Sequence, residues 1–288
     1  MKTQRDAFFD ELYEIAKKDC NVILVSADMA APSLDKFRSE FSEQFVNVGI
    51  AEQNMIAVAT GLALSGKKPF CYAITPFATL RCYEAIKVNV CMMNLPVTIV
   101  GVGSGFSYDD SGPTHHSIED ISIMRVLPNI TIYNASDSVM AGAFAKLAYE
   151  SAGPTYVRLD REQLPQLCEP SWDFQNGLFL YLRQPSSQAC VVATGNMVHQ
   201  AWERGFSVID LFRLKPVNVM GLLAEVRHYG EVFTLEEHLL AGGLGSLLAE
   251  IFVDNAVEIP LRRMGAKDQF YYVYGGRKNI QKVAGLWT

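Results

Sequence analysis

The sequence predicts an α/β fold of two domains, each a mainly parallel sheet flanked by helices. Three observations carry that prediction. Short β-rich runs alternate with helical stretches, 49% of the 288 residues are apolar, and a segment rich in proline and glycine interrupts the alternation once, beyond residue 160.

In the first part, strands are expected near 22–26, 45–48, 69–74, 96–102, 130–133 and 155–159, with helices near 4–18, 51–65, 77–93, 118–126 and 136–150. Phe45-Val46-Asn47-Val48 reads as a short strand, and Gly49-Ile50-Ala51-Glu52-Gln53-Asn54-Met55 opens the helix after it. Ile56, Ala57, Val58, Ala59, Gly61, Leu62, Ala63 and Leu64 make that helix apolar almost all round, so Glu52 at its start is carried into an interior. Ala73-Ile74-Thr75-Pro76 marks the end of the next strand and the start of a helix bearing Phe77, Arg81 and Tyr83. Parallel sheets bind ligands at the carboxyl ends of their strands, and Glu52, Phe77 and His115 all follow strands.

Pro165, Pro170, Gly177 and Pro185 read as a linker, giving domains 1–162 and 188–288 separated by 163–187. The second domain has expected strands near 189–194, 206–211, 231–235 and 258–263 and helices near 217–228 and 244–253. Only about eleven residues, Gly195 to Gly205, cross between its first two strands, the lower limit for a helical crossover.

With 31 acidic against 25 basic residues and no basic cluster, nucleic acid is not an expected partner. No run reaches the roughly 18 apolar residues of a membrane span, and Met1-Lys2-Thr3-Gln4-Arg5-Asp6 lacks the apolar core of a signal peptide, so a cytoplasmic location is expected. The six cysteines are scattered without metal-ligand spacing and are assigned no role.

Several residues allow two readings. Glu52 is either an ordinary first-turn acid at the positive helix end or a buried carboxyl that holds a proton. Phe77 is a core residue or a stacking platform, and Arg81 needs an anion, either Glu84 or a group at the ligand site. Gly101, Gly103, Gly105 and Gly112 suit a backbone that approaches a ligand, in a loop that ends on His115 and His116.

The heptapeptide Gly49–Met55 resembles the segment bearing the catalytic glutamate of thiamine-diphosphate enzymes of the transketolase family. Further segments agree in order. They are Ser26-Ala27-Asp28 with Pro32-Ser33, Phe77 through Arg81 with Tyr83 and Glu84, Gly112-Pro113-Thr114-His115-His116-Ser117-Ile118-Glu119-Asp120, Arg161-Glu162-Gln163-Leu164-Pro165, and Glu236-Glu237-His238 with Gly242-Gly243-Leu244-Gly245. The resemblance implies a pyrimidine-binding domain followed by a transketolase C-terminal-like domain. It makes Glu52 the catalytic carboxyl that bonds the aminopyrimidine of thiamine diphosphate and activates it for loss of its C2 proton. Phe77 is then the ring that stacks on that pyrimidine, with Arg81 and Asp28 on the cofactor side. His115 would be the second catalytic group and would bind the donor ketose, with His116 beside it; Ser33 and Arg161 would meet an acceptor phosphate. Without a phosphate, Arg161 would instead pair with Asp160 or Glu162.

Two positions depart from the sugar-phosphate members: Ser111 stands where an aspartate usually reads the donor, and a substrate histidine is replaced in the stretch around Gly103. The family's Gly-Asp-Gly diphosphate motif does not occur in these 288 residues. The expectation is therefore the C-terminal half of a split enzyme, in an α2β2 assembly with an N-terminal diphosphate-binding subunit that holds the cofactor's Mg²⁺ or Ca²⁺. Alternatives are the β subunit of a 2-oxo-acid dehydrogenase E1 component, a deoxyxylulose-phosphate-synthase-like enzyme and a non-catalytic paralogue. The paired histidines and the Arg161 segment favour a transketolase acting on sugars or sugar phosphates.

Overall fold

Thr3 opens the first helix, α1 (Gln4–Ala16), by accepting the Asp6 N–H on its hydroxyl. The computed structural model that shows this describes residues 2–182 and 188–286; Pro185, used above to mark a linker, lies outside them. Then follow β1 (Val22–Ser26), α2 (Pro32–Glu40), β2 (Phe45–Asn47), α3 (Glu52–Leu64) and β3 (Lys68–Ile74). Next come α4 (Thr75–Ala78), α5 (Tyr83–Ala85), β4 (Thr98–Val102), α6 (Asp120–Arg125), β5 (Thr131–Asn134), α7 (Ser138–Glu150) and β6 (Thr155–Leu159).

The single helix expected over 77–93 is broken. A 3₁₀ turn (Leu80–Cys82) separates α4 from α5, which runs on into a wide π-helical stretch (Ile86–Cys91). Thr79, at φ −114 and ψ −77, interrupts the regular path, so Arg81 projects from a turn and not from a helix face. The helix α2 went unassigned in the sequence; Pro32 starts it, and Leu34 and Phe37, three residues apart, bury its one apolar stripe.

Six strands are parallel in the order β5-β6-β4-β3-β1-β2. One face is covered by α1, α2 and α7 through Phe8, Phe9, Leu12, Phe37 and Phe144. The other is covered by α3, the π-helical stretch and α6 through Met55, Ile56, Ile86, Val90 and Met124.

The rest of the chain forms β7 (Leu178–Tyr181), β8 (Ala189–Ala193), α8 (Asn196–Glu203), β9 (Ser207–Leu211), β10 (Arg213–Lys215) and α9 (Val219–Val226), then β11 (Glu231–Leu239), α10 (Leu244–Asp254), β12 (Leu261–Ala266) and α11 (Arg277–Ala284). Its sheet runs β12-β11-β8-β9-β7, parallel except for β7. Thus the stretch read as linker contributes an edge strand. Gly177, at φ +87, ends a 3₁₀ turn and feeds β7, while the surrounding prolines obscure the four-residue run. The short crossover between β8 and β9 is helical all the same, as the eight residues of α8.

The two sheets are not independent. Strand β10 pairs antiparallel with β5 and so adds a seventh strand to the first sheet. The core under α3 continues through Leu222, Leu244 and Leu248 of the second unit. Phe106 and Ile118, from the loop after β4, are buried with Tyr271 and Ile280. That loop is held between the two units.

Candidate active site

Because the strands are parallel, the segments after β1, β2, β3, β4 and β6 leave the same edge of the sheet, and all eight predicted site residues lie on them. Five of these, Glu52, Arg81, Phe77, His115 and Arg161, form a continuous row. Glu52 begins α3 and is only 5% exposed, and Arg81 Nη1 donates to its Oε2 at 2.8 Å. The partner of Arg81 is therefore Glu52 and not the exposed Glu84, and Glu52 is not the unpaired carboxyl that its apolar helix suggested. The Gln53 side-chain amide donates to Arg81 O at 3.0 Å and fixes the same turn.

The Arg81 guanidinium lies 4.3 Å from the centre of the half-buried Phe77 ring. Phe77 in turn meets His115 edge to face at 5.1 Å. His115 Nδ1 is 2.9 Å from Thr114 Oγ1, and its ring stands 5.8 Å from that of Tyr108. Arg161 covers Tyr108 at 4.6 Å and donates to Asp110 Oδ1 at 3.3 Å. Neither Asp160 nor Glu162, the two partners considered from sequence, takes that guanidinium; both turn to Arg277.

Three predicted residues stand outside the row. Asp28, exposed and at φ 57, exchanges hydrogen bonds with Asn47: its N–H donates to Asn47 Oδ1 at 3.0 Å, and Asn47 Nδ2 donates to its carboxylate at 3.1 Å. Asn47 Oδ1 also accepts the Gly49 N–H, so this pair pins the approach to Glu52. Ser33 lies near the start of α2, its hydroxyl oxygen buried without a hydrogen-bond partner among the described residues. His116 is buried behind His115, edge to face with Phe106 at 5.1 Å, and burial pushes its ring below the usual histidine range. In this geometry it packs against the loop instead of lining the row.

Tyr108 was missed in the sequence. An added Cβ at Gly103, which sits at φ +102, would overlap the Tyr108 ring. The departure around Gly103 thus has a physical reason: a tyrosine five residues on fills the space of a side chain there. Burial, the leading influence, raises the Tyr108 phenol despite nearby Arg161. Below Arg81, Cys82 is buried and its thiol is pushed up to about 12, which keeps it protonated and inert beside Glu52.

The row offers one buried carboxylate, two aromatic faces, a part-exposed imidazole and two half-exposed guanidiniums, those of Arg81 and Arg161, along one edge of the sheet. That set can hold a heteroaromatic ring by stacking and a hydrogen bond, move a proton, and bind an oxyanion.

Residues 1–166 match the family model described as transketolase, pyrimidine binding domain, and residues 179–287 match transketolase, C-terminal domain. An apulose-4-phosphate transketolase subunit of Actinobacillus succinogenes is 34% identical over 280 residues, covering 94% of this chain and 90% of that protein. The 6-deoxy-6-sulfo-D-fructose transketolase subunit SqwH of Clostridium sp. (strain MSTE9) is 35% identical over 92% of this chain and 85% of its own length. Among solved structures, a split gene transketolase described as an inactive beta4 tetramer superimposes with a TM-score of 0.86 at 32% identity, over 99% of this chain and 94% of that one.

Proposed function

The chain belongs to the transketolase family, and from that premise we propose that it is the C-terminal subunit of a split, thiamine-diphosphate-dependent transketolase. It transfers a two-carbon ketol unit between sugar or sugar-phosphate substrates and works only with a diphosphate-binding partner subunit that also holds the Mg²⁺ or Ca²⁺. The observation that carries this reading is the unbroken row from Glu52 through Arg81, Phe77 and His115 to Tyr108 and Arg161.

When bound, thiamine diphosphate supplies the nucleophilic carbon and the electron sink for breaking the bond next to a ketose carbonyl. The residues present fit its pyrimidine half, since Glu52 offers a carboxylate oxygen beside the half-buried face of Phe77. Glu52 would meet the pyrimidine's ring nitrogen through a hydrogen bond, and Arg81 fixes the direction of that carboxyl group. Asp28 supports the cofactor side through Asn47 and the Gly49 turn. His115 binds the donor and moves a proton at its hydroxyl, while His116 supports the loop from behind. Arg161 takes the acceptor's phosphate or another oxyanion, with Ser33 as a further hydroxyl on that side.

Self-association fits the exposed apolar side chains Ile50, Leu80, Val88, Met92 and Met93, of which Leu80 and Val88 belong to the turn and the π-helical stretch that pack on α3. The beta4 tetramer of the similar split-gene protein, described as inactive, agrees with a chain that pairs with itself and lacks half a site.

The test is reconstitution. Neither this chain nor its partner alone turns over a ketose and an aldose, the mixture does, and Glu52→Gln abolishes that activity. Activity of the chain alone, or an active mixture carrying Glu52→Gln, overturns the proposal; release of CO₂ from pyruvate by the mixture in place of ketol transfer points to a deoxyxylulose-phosphate synthase or a 2-oxo-acid dehydrogenase component.

A further inference from the structure

The loop bearing His115 is closed where Gly105 and Ser117 exchange two backbone hydrogen bonds, of 3.1 and 2.8 Å. Its return end is anchored from the first domain, by Arg158 donating to Ser117 O at 2.7 Å and to Asp120 at 2.7 Å. Its outgoing end is anchored chiefly by three carboxylates. Asp160 accepts the Ser104 hydroxyl at 3.0 Å, Glu237 of β11 accepts the Phe106 N–H at 3.1 Å, and Asp109, within the loop, accepts the Arg277 N–H at 2.8 Å.

One guanidinium, that of Arg277, joins Asp160 and Glu237, while Asp109 is held by the backbone N–H of the same residue. Arg277 Nη2 lies 2.7 Å from Asp160 Oδ2 and 2.6 Å from Glu237 Oε2, and Nη1 lies 3.2 Å from Glu162. Arg277, Asp160 and Glu237 are all buried. Two buried carboxylates held on the same nitrogen repel each other once the cation is gone, and a buried charge without its partner is costly. The loop is where that repulsion is relieved, because Asp160 and Glu237 are the two groups that grip it at Ser104 and Phe106.

We infer that Arg277 is a positioning residue for His115, acting through Asp160, Glu237 and the 103–117 loop, so that the second domain sets the geometry of a site built on the first. The inference rests on the reading of His115 as a reacting group. It gives the second domain a task in the chemistry without any residue of that domain touching substrate.

The experiment compares Arg277→Gln, Arg277→Lys, the double variant Arg277→Gln/Glu237→Gln and Ile251→Val. Ile251 is a buried residue of α10, outside the charge cluster and outside the core that packs the loop. In the full chain, Arg277→Gln is expected to speed amide hydrogen exchange at Gly105–His116 at least tenfold while α3 stays protected, and the double variant, with one of the two repelling charges removed, recovers part of that protection. With the partner subunit, kcat falls at least tenfold in Arg277→Gln with ketose KM within twofold, Arg277→Lys recovers part of the loss, and Ile251→Val lowers Tm at unchanged kcat. Should Arg277→Gln fail to fold, Arg277→Lys, which keeps the charge but loses the fork that spans Asp160 and Glu237, carries the same readout at smaller amplitude. Wild-type exchange and kcat in the Arg277 variants beside an inactive Glu52→Gln overturn the positioning role alone, whereas an active Glu52→Gln overturns the transketolase reading and this one with it.

Discussion

Arg81 Nη1 lies 2.8 Å from Glu52 Oε2, although 29 residues separate the two in the chain. The contact exists because the helix after β3 breaks at Thr79, turning Arg81 back over Phe77 toward the start of α3. A carboxylate fixed in direction by one guanidinium, and left with its other oxygen free of protein hydrogen bonds among the described residues, is oriented for a ligand.

Arg81→Met tests orientation through affinity. The Arg81 side chain is 45% exposed but that of Glu52 only 6%, so removing the guanidinium leaves a nearly buried carboxylate without its partner. Denaturant melts should show a loss of about 1–3 kcal/mol, and thiamine-diphosphate affinity of the reconstituted pair should fall roughly tenfold, the cost of about one lost charge-assisted contact. A variant that binds cofactor as tightly as the wild type would leave Arg81 no part in orienting Glu52.

The two adjacent histidines should behave in opposite ways. His115 lies in the row, so His115→Ala should lower turnover by about 10²–10⁴, the usual range for a proton-transfer group, at nearly unchanged Tm. His116 is buried with neither ring nitrogen hydrogen-bonded among the described residues, so His116→Phe removes two desolvated polar atoms and keeps the ring against Phe106. Its Tm should hold or rise, and a drop of several degrees would mean that a partner for the imidazole exists in solution.

Gly105 and Gly66 both have positive φ, but an added Cβ at Gly105 would overlap the Glu237 carboxyl, while none lies near Gly66. Gly66→Ala should therefore cost about 1 kcal/mol, from the left-handed backbone alone. Gly105→Ala should cost more than about 2 kcal/mol, because overlap with a buried carboxylate is added to that strain. Urea melts of the two variants measure the difference, and equal losses would show that Glu237 moves aside freely.

What could be read from the sequence was what short segments encode by themselves. Each parallel strand and the helix start at Gly49–Met55 carry their own pattern, and a parallel sheet brings their carboxyl ends to one edge. Tyr108, Arg277 and β10 have no such local signature. Arg277 finds Asp160 across 117 residues and Glu237 finds Phe106 across 131, and a three-residue edge strand shows no periodicity. Distant pairing of this kind is fixed by packing between the sheets, after the local elements exist.

Met92 and Ile50 are 70% and 80% exposed, and a proposed self-contact should cover both. Met92→Glu puts a charge into that contact and should yield a smaller species in light scattering at micromolar concentration, with unchanged circular dichroism. An unaltered mass would move the self-contact to another face.

His238 of β11 supplies a pH test. Its Nδ1 is 2.8 Å from Leu239 O, its Nε2 is 3.4 Å from the Ser122 N–H, and burial, with Arg158 adding to it against Asp120, brings its pKa down to about 4. The folded value lies below the ordinary 6.5, so as pH falls the unfolded chain takes the proton first. This group's stabilising effect is complete above pH 6.5, is lost progressively toward pH 4 and levels off below. At about 1.4 kcal/mol per pH unit, the loss over that window approaches roughly 3 kcal/mol. Glu236, raised to about 8 by burial against the N–H groups of Gly245 and Leu244, works in the opposite sense: it is protonated in the fold where the unfolded chain is ionised, so it favours the fold as pH falls from 8 to 4.5. Total stability therefore hides the histidine, and the informative quantity is the difference between wild type and His238→Gln. In urea melts at pH 7, 5.5 and 4 the wild type should lose ground to the variant by about 3 kcal/mol from the first to the last. A difference that stays constant with pH would mean that the imidazole gains a proton without cost, and that the seam between β11 and α6 admits water.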